Sequence, residues 1–80
     1  MSIEPLAVPS AADWADALSP RELDVAMLVS QGLSNRAVAQ ALGLAESTVK
    51  IHLHSVYRKL GAANRYALLL QARKNVQQSA

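Results

Sequence analysis

One stretch between two glycines constrains this chain more than any other: Glu46 to Leu60, ESTVKIHLHSVYRKL, bounded by Gly43 and Gly61. At about 100° per residue it divides into two faces. Val49, Leu53, Val56 and Leu60 form a narrow apolar stripe suited to a core. Ser47, Ile51, His54 and Arg58 fall opposite, flanked by Lys50 and Ser55, and no acid follows Glu46 within the stretch. A surface helix has no use for an exposed isoleucine, whereas a helix reading base edges can set one against a thymine methyl. The stretch is expected to be a DNA-recognition helix.

The residues before it supply a matching scaffold. Ser19-Pro20-Arg21-Glu22 places an N-cap serine, a proline at the first helical position and a glutamate at the third. Leu18 and Leu23 stand where a hydrophobic staple would close over that cap. This helix is expected to turn Val25, Leu28 and Val29 inward and to stop at Gln31, with Gly32 in the left-handed conformation. Ser34 caps the next helix, Asn35 to Leu42, whose buried stripe is Val38, Ala39 and Leu42. The turn Gly43-Leu44-Ala45 leads directly into Glu46. A short helix, a tight glycine turn and a second amphipathic helix make a helix-turn-helix pattern.

After Gly61-Ala62-Ala63, Asn64 can cap a last helix from Arg65 to about Val76. Leu68, Leu69, Ala72 and Val76 suit the core. Tyr66 and Leu70, with Arg73 beside them, form a second stripe. It is either a stray exposed pair or a seam for the same helix of a second copy. The tail, residues 77–80, is expected to fray. At the other end, residues 1–17 are rich in Pro, Ala and Ser, and Pro5 and Pro9 oppose a continuous helix. Ser10 and Asp13 could cap a short turn carrying Trp14. This segment reads as a linker or leader whose Trp14 docks on the body, or as an attachment point for an upstream domain. The expected domain is residues 18–76.

Charge separates the halves. Residues 1–46 hold all six acids against Arg21 and Arg36, whereas residues 47–80 hold Lys50, Arg58, Lys59, Arg65, Arg73 and Lys74 with no acid. A polyanion partner would require such a surface, although a solubilising face has the same composition. With no cysteine there is neither a disulfide framework nor a cysteine zinc site. His52 and His54 point about 200° apart on a helix and cannot share one metal ion. No apolar run reaches the ~18 residues of a membrane span, and no secretory signal opens the chain. A cytoplasmic protein is expected, associated with the nucleoid when bound to DNA. The acids are scattered and no glycine-rich phosphate loop follows a strand, so neither catalysis nor a cofactor is expected.

Taken together, Leu18-Ser19-Pro20-Arg21-Glu22, Gly32-Leu33-Ser34-Asn35-Arg36, Thr48-Val49-Lys50-Ile51-His52 and Lys59-Leu60-Gly61 resemble the LuxR-type helix-turn-helix domain. That domain is the output module of quorum-sensing regulators and of NarL/FixJ-like response regulators. The resemblance covers Leu18 to about Ala72. It implies an all-α, four-helix domain that binds double-stranded DNA at inverted repeats as a homodimer paired through its last helix, with RNA polymerase as a further candidate partner. By position it implies base reading by Lys50, Ile51 and His54. Phosphate contacts would come from Asn35, Arg36, Ser47, Thr48, His52, Arg58 and Lys59, and pairing from Tyr66, Leu70 and Arg73.

Some positions depart from the family pattern. Ala45 holds the place of a capping serine, Ala37 that of an acid, and His54 that of a frequent lysine, so that one contact is expected to weaken above neutral pH. For His52 a structural hydrogen bond competes with the phosphate role. For Arg65 a role bracing the recognition helix against the last helix competes with phosphate binding. The chain is expected to be the C-terminal output domain of a response regulator. A stand-alone small regulator, or a protein-interaction module that has lost DNA binding, are the alternatives.

Overall fold

The computed structural model describes the backbone of residues 11–78 and the side chains of residues 13–73. Five helices follow one another: α1 (Ala11–Ala17), α2 (Pro20–Ser30), α3 (Asn35–Leu42), α4 (Glu46–Leu60) and α5 (Arg65–Gln78). Helices α2, α3 and α4 start and stop where their punctuation places them, and α5 starts at Arg65 as expected but runs past Val76 to Gln78. The Ser19 hydroxyl accepts from the Glu22 amide at 3.2 Å, and the Glu22 carboxylate accepts from the Ser19 amide at 2.9 Å, so two orphan donors of α2 are satisfied reciprocally. Ser34 Oγ caps α3 through the Ala37 amide at 3.1 Å, and Asn64 Oδ1 caps α5 through the Ala67 amide at 2.9 Å.

Gly43 and Gly61 end α3 and α4 in the left-handed region, at φ 69° and 66°. A side chain is strained there, and the conformation lets the next amide turn back on the helix. Leu44 N–H donates to the Ala39 carbonyl at 2.9 Å, and Ala62 N–H to that of Tyr57 at 2.9 Å. Both reversals aim the following helix across the one just finished.

The core is built almost wholly of aliphatic side chains around α4. Val49, Leu53, Val56 and Leu60 are buried, as the apolar stripe requires, and α4 packs against all four other helices. From α2 come Val25, Ala26 and Val29, from α3 Val38 and Ala39, and from α5 Leu68. Leu28, Leu42, Leu69 and Ala72 are only half-buried, and Val76 lies outside the described side chains. Gln71 was not among the expected core residues, yet it is buried, and its amide donates to the Leu60 carbonyl at 3.0 Å, tying α5 to the end of α4.

Within the leader, Trp14 docks on the body as expected, on a helix rather than on a short turn. Part of residues 1–17 forms α1, which packs against α2, α4 and α5 and carries Trp14, the largest fully buried side chain. A helix of seven residues is too short to show a period, and in water it would be marginal without its packing. Docking of this indole holds it in place. Ser10, the expected cap, lies outside the described residues.

A second tie crosses the bundle. Lys59, near the end of α4, donates to the Glu22 carboxylate at 2.8 Å. That hydrogen bond, joined by the one from the Ser19 amide, holds the Glu22 carboxyl below its ordinary value of 4.5 against the opposing effect of burial.

Candidate nucleic-acid interface

The surface of α4 turned away from the core carries the expected groups. Ser47, Lys50, Ile51, His54 and Arg58 are exposed, and Thr48 and His52 are half-buried at its edges. Ile51 is 67% exposed, an apolar side chain with no share in the core. Among the described residues no acid beyond Glu46 lies on this helix, and Glu46 sits in its first turn, where a carboxylate suits the helix dipole. Arg58 in the last turn suits the opposite end for the same reason.

Beside that face lies a shallow concavity of about 230 Å³, lined by Asn35, Lys50, Leu53, His54, Tyr57 and Arg65. It brings together two expected base readers, Lys50 and His54, with one expected phosphate residue, Asn35. Ile51, Ser47 and Arg58 lie on the convex part of α4, outside it, and Arg36 is exposed on α3. Tyr57 and Arg65 were not in the expected set. Arg65 joins the first residue of α5 to the first turn of α3: one guanidinium nitrogen donates to Asn35 Oδ1 at 2.9 Å and another to the Leu33 carbonyl. The brace therefore runs from the last helix to the start of α3 rather than, as expected, to the recognition helix α4. Tyr57 could have been suspected from its place one turn after Leu53, at the boundary between the two faces of α4. The partners of Arg65 lie about thirty residues upstream and leave no local signal.

Lys59 is set apart from the other expected phosphate residues, because its ammonium already has the Glu22 carboxylate as partner. On α5, Tyr66 is 69% and Leu70 38% exposed, and Arg73 is exposed as well. Spaced by four and three residues, they share one helix face. No group of three or more His, Cys, Asp or Glu residues that could hold a metal occurs among the described residues. None of the described helices is long and apolar enough to cross a membrane.

Residues 16–72 match the luxR family of bacterial regulatory proteins. The chain belongs to this family. It is a LuxR-type helix-turn-helix DNA-binding domain. An HTH-type transcriptional regulator of Mycobacterium bovis is 49% identical to it over 55 residues, which is 69% of this chain and 6% of that protein. The nitrate/nitrite response regulator protein NarP of Escherichia coli is 46% identical over 59 residues, 70% of this chain and 27% of that protein. The HTH-type transcriptional activator RamA of Corynebacterium glutamicum is 47% identical over 57 residues, covering 71% and 20%. This chain thus spans less than a third of the length of each of these relatives. LuxR-family relatives of this kind are transcriptional regulators, and the likeness is confined to the domain.

Proposed function

We propose that the chain reads specific sequences in double-stranded DNA by laying α4 in the major groove. The observation that carries this is the outer face of α4, where Lys50, Ile51 and His54 stand exposed on a helix held from behind by all four others. Lys50 donates to guanine O6 or N7, Ile51 packs on a thymine methyl, and His54 contacts a neighbouring base. Asn35, Arg36, Ser47, Thr48, His52 and Arg58 fix the register on the backbone, which supplies salt-dependent affinity without reading sequence. Lys59 serves the scaffold through Glu22 rather than the DNA.

Two copies pair through Tyr66, Leu70 and Arg73 of α5, setting two half-sites of an inverted repeat at a fixed separation. An exposed tyrosine one turn from an exposed leucine supports this reading. The likeness to NarP supports a role as the output domain of a response regulator, acting in the cytoplasm on promoter DNA and communicating there with RNA polymerase.

The test is selection of duplexes from a random pool, followed by titration of the winner at several salt concentrations. The expected result is a two-fold-symmetric motif whose affinity falls steeply with salt. Lys50→Ala is expected to narrow the gap between the selected and a scrambled duplex by about 1–3 kcal/mol. No enrichment at low salt would overturn the proposal, and a single half-site would remove the dimer from it.

A further inference from the structure

Arg65 combines features that a purely structural brace does not need. Its guanidinium is half-buried and held by two acceptors, Asn35 Oδ1 and the Leu33 carbonyl, both of them neutral. Neither the Arg21–Asp24 nor the Lys59–Glu22 ion pair includes Arg65, and both of its described acceptors are uncharged. As the first residue of α5 it also stands at the end of a helix where the backbone dipole disfavours a cation. Two neutral bonds therefore fix a full positive charge in place, at the wrong end of a helix, on the wall of an open concavity. Lys50 and His54 line the same concavity, as do the Asn35 side chain and Tyr57, which add donors of hydrogen bonds.

We propose that this concavity between α3, α4 and α5 receives one phosphodiester of the DNA backbone, with Arg65 as its principal charged ligand. The inference rests on α4 binding DNA and adds a contact from outside the helix-turn-helix itself. A guanidinium has five donors in a planar fork, and two bonds to neutral acceptors leave donors for a phosphate oxygen. The bond to Asn35 Oδ1 does further work. It occupies the acceptor of that amide, so the amide's own N–H groups are left for the anion. Because the fork is already oriented, little side-chain freedom remains to be lost on binding. Lys50, on the same wall, is then shared between this phosphate and the base edge it reads.

The experiment uses the full chain and the duplex obtained by selection, together with a scrambled duplex. Arg65→Met removes the charge at similar length, Arg65→Lys keeps it as a point cation, and Arg21→Met removes one unit of charge from α2 as a control. Arg65→Met is expected to weaken both duplexes by the same factor, on the order of tenfold. It is also expected to make the slope of log affinity against log salt shallower by about 0.9 per bound domain. Arg65→Lys retains most of the slope, and Arg21→Met leaves it unchanged. A series of duplexes carrying single neutral methylphosphonates locates the contact. At one position per half-site the substitution weakens the wild type but not Arg65→Met.

A loss of affinity in Arg65→Met with an unchanged slope, or with the same methylphosphonate sensitivity as the wild type, makes Arg65 a brace only and overturns the proposal while leaving DNA binding intact. If Arg65→Met is unfolded by circular dichroism, Arg65→Lys decides. The wild type must then lose more than Arg65→Lys at one methylphosphonate position, and equal losses at every position overturn the contact. Absence of wild-type binding to any duplex at low salt removes both this proposal and the reading on which it rests.

Discussion

The starts of α2 and α4 solve the same problem in opposite ways. At α2, Ser19 and Glu22 satisfy each other's amides, Pro20 needs no donor partner, and Lys59 comes from α4 to neutralise the glutamate. At α4, Ala45 offers no side-chain oxygen, and the helix begins without a side-chain cap. Yet α4 is the longer helix, and like α2 it packs against all four others. The difference shows where each helix draws its stability. The scaffold helix adds a local cap, made of bonds within four residues, to its own burial of Val25, Ala26 and Val29. The reading helix is specified by burial of Val49, Leu53, Val56 and Leu60, which leaves its outer surface free of structural duties.

The largest effect should come from attacking that burial. Leu53→Ala is expected to cost about 2–5 kcal/mol, a large share of the ~4–12 kcal/mol typical for a domain of this size. Urea unfolding followed by circular dichroism measures it. A loss under 1 kcal/mol would mean that α4 does not depend on the packing described.

The two caps provide a mirror-image pair of intermediate size. Ser19→Ala is expected to destabilise by about 1 kcal/mol, and Ala45→Ser to stabilise by up to about the same amount. Both are read as shifts in the urea midpoint. If Ala45→Ser gives no gain, the tertiary fold already compensates for the missing cap.

The smallest effect concerns acid. Glu22 has a carboxyl value lowered in the folded state, first by Lys59 and then by the Ser19 amide. Its contribution to stability is therefore complete above about 4.5, the ordinary value, and is lost as pH falls through the lower folded value. Removing the principal cause in Lys59→Met brings the folded and unfolded values closer together. That variant should lose less stability than the wild type between neutral and acid pH. Parallel curves would show that the Lys59–Glu22 bond contributes nothing to the acid response.

What was legible in the chain was whatever acts over short distances. Ser19, Pro20 and Glu22 announce α2, Gly43 and Gly61 announce two ends, and the stripe from Val49 to Leu60 announces which side of α4 is covered, because each signal operates within about a turn or two. The exposed groups of α4 followed from the same periodicity. Ties across the bundle could not be read this way. Lys59 meets Glu22 across thirty-seven residues and Arg65 meets Asn35 across thirty, and neither member of either pair carries a mark of its partner. The local sequence around Lys59 therefore does not show that Glu22 is its partner. For the same reason the sequence leaves Arg65 open between two roles. Helix α1 is illegible for another reason: seven residues with Trp14 as the one large apolar side chain produce no period.

That buried side chain has a use at the bench. Trp14 is the chain's single tryptophan, and it is fully enclosed where α1 meets α2, α4 and α5. An indole sealed among aliphatic groups emits at shorter wavelengths than one in water, so the tryptophan emission, excited where Tyr57 and Tyr66 do not absorb, is a one-residue optical signal for the attachment of α1. Because no tryptophan lies on α4, the signal distinguishes release of the amino-terminal helix from events on the face that meets DNA.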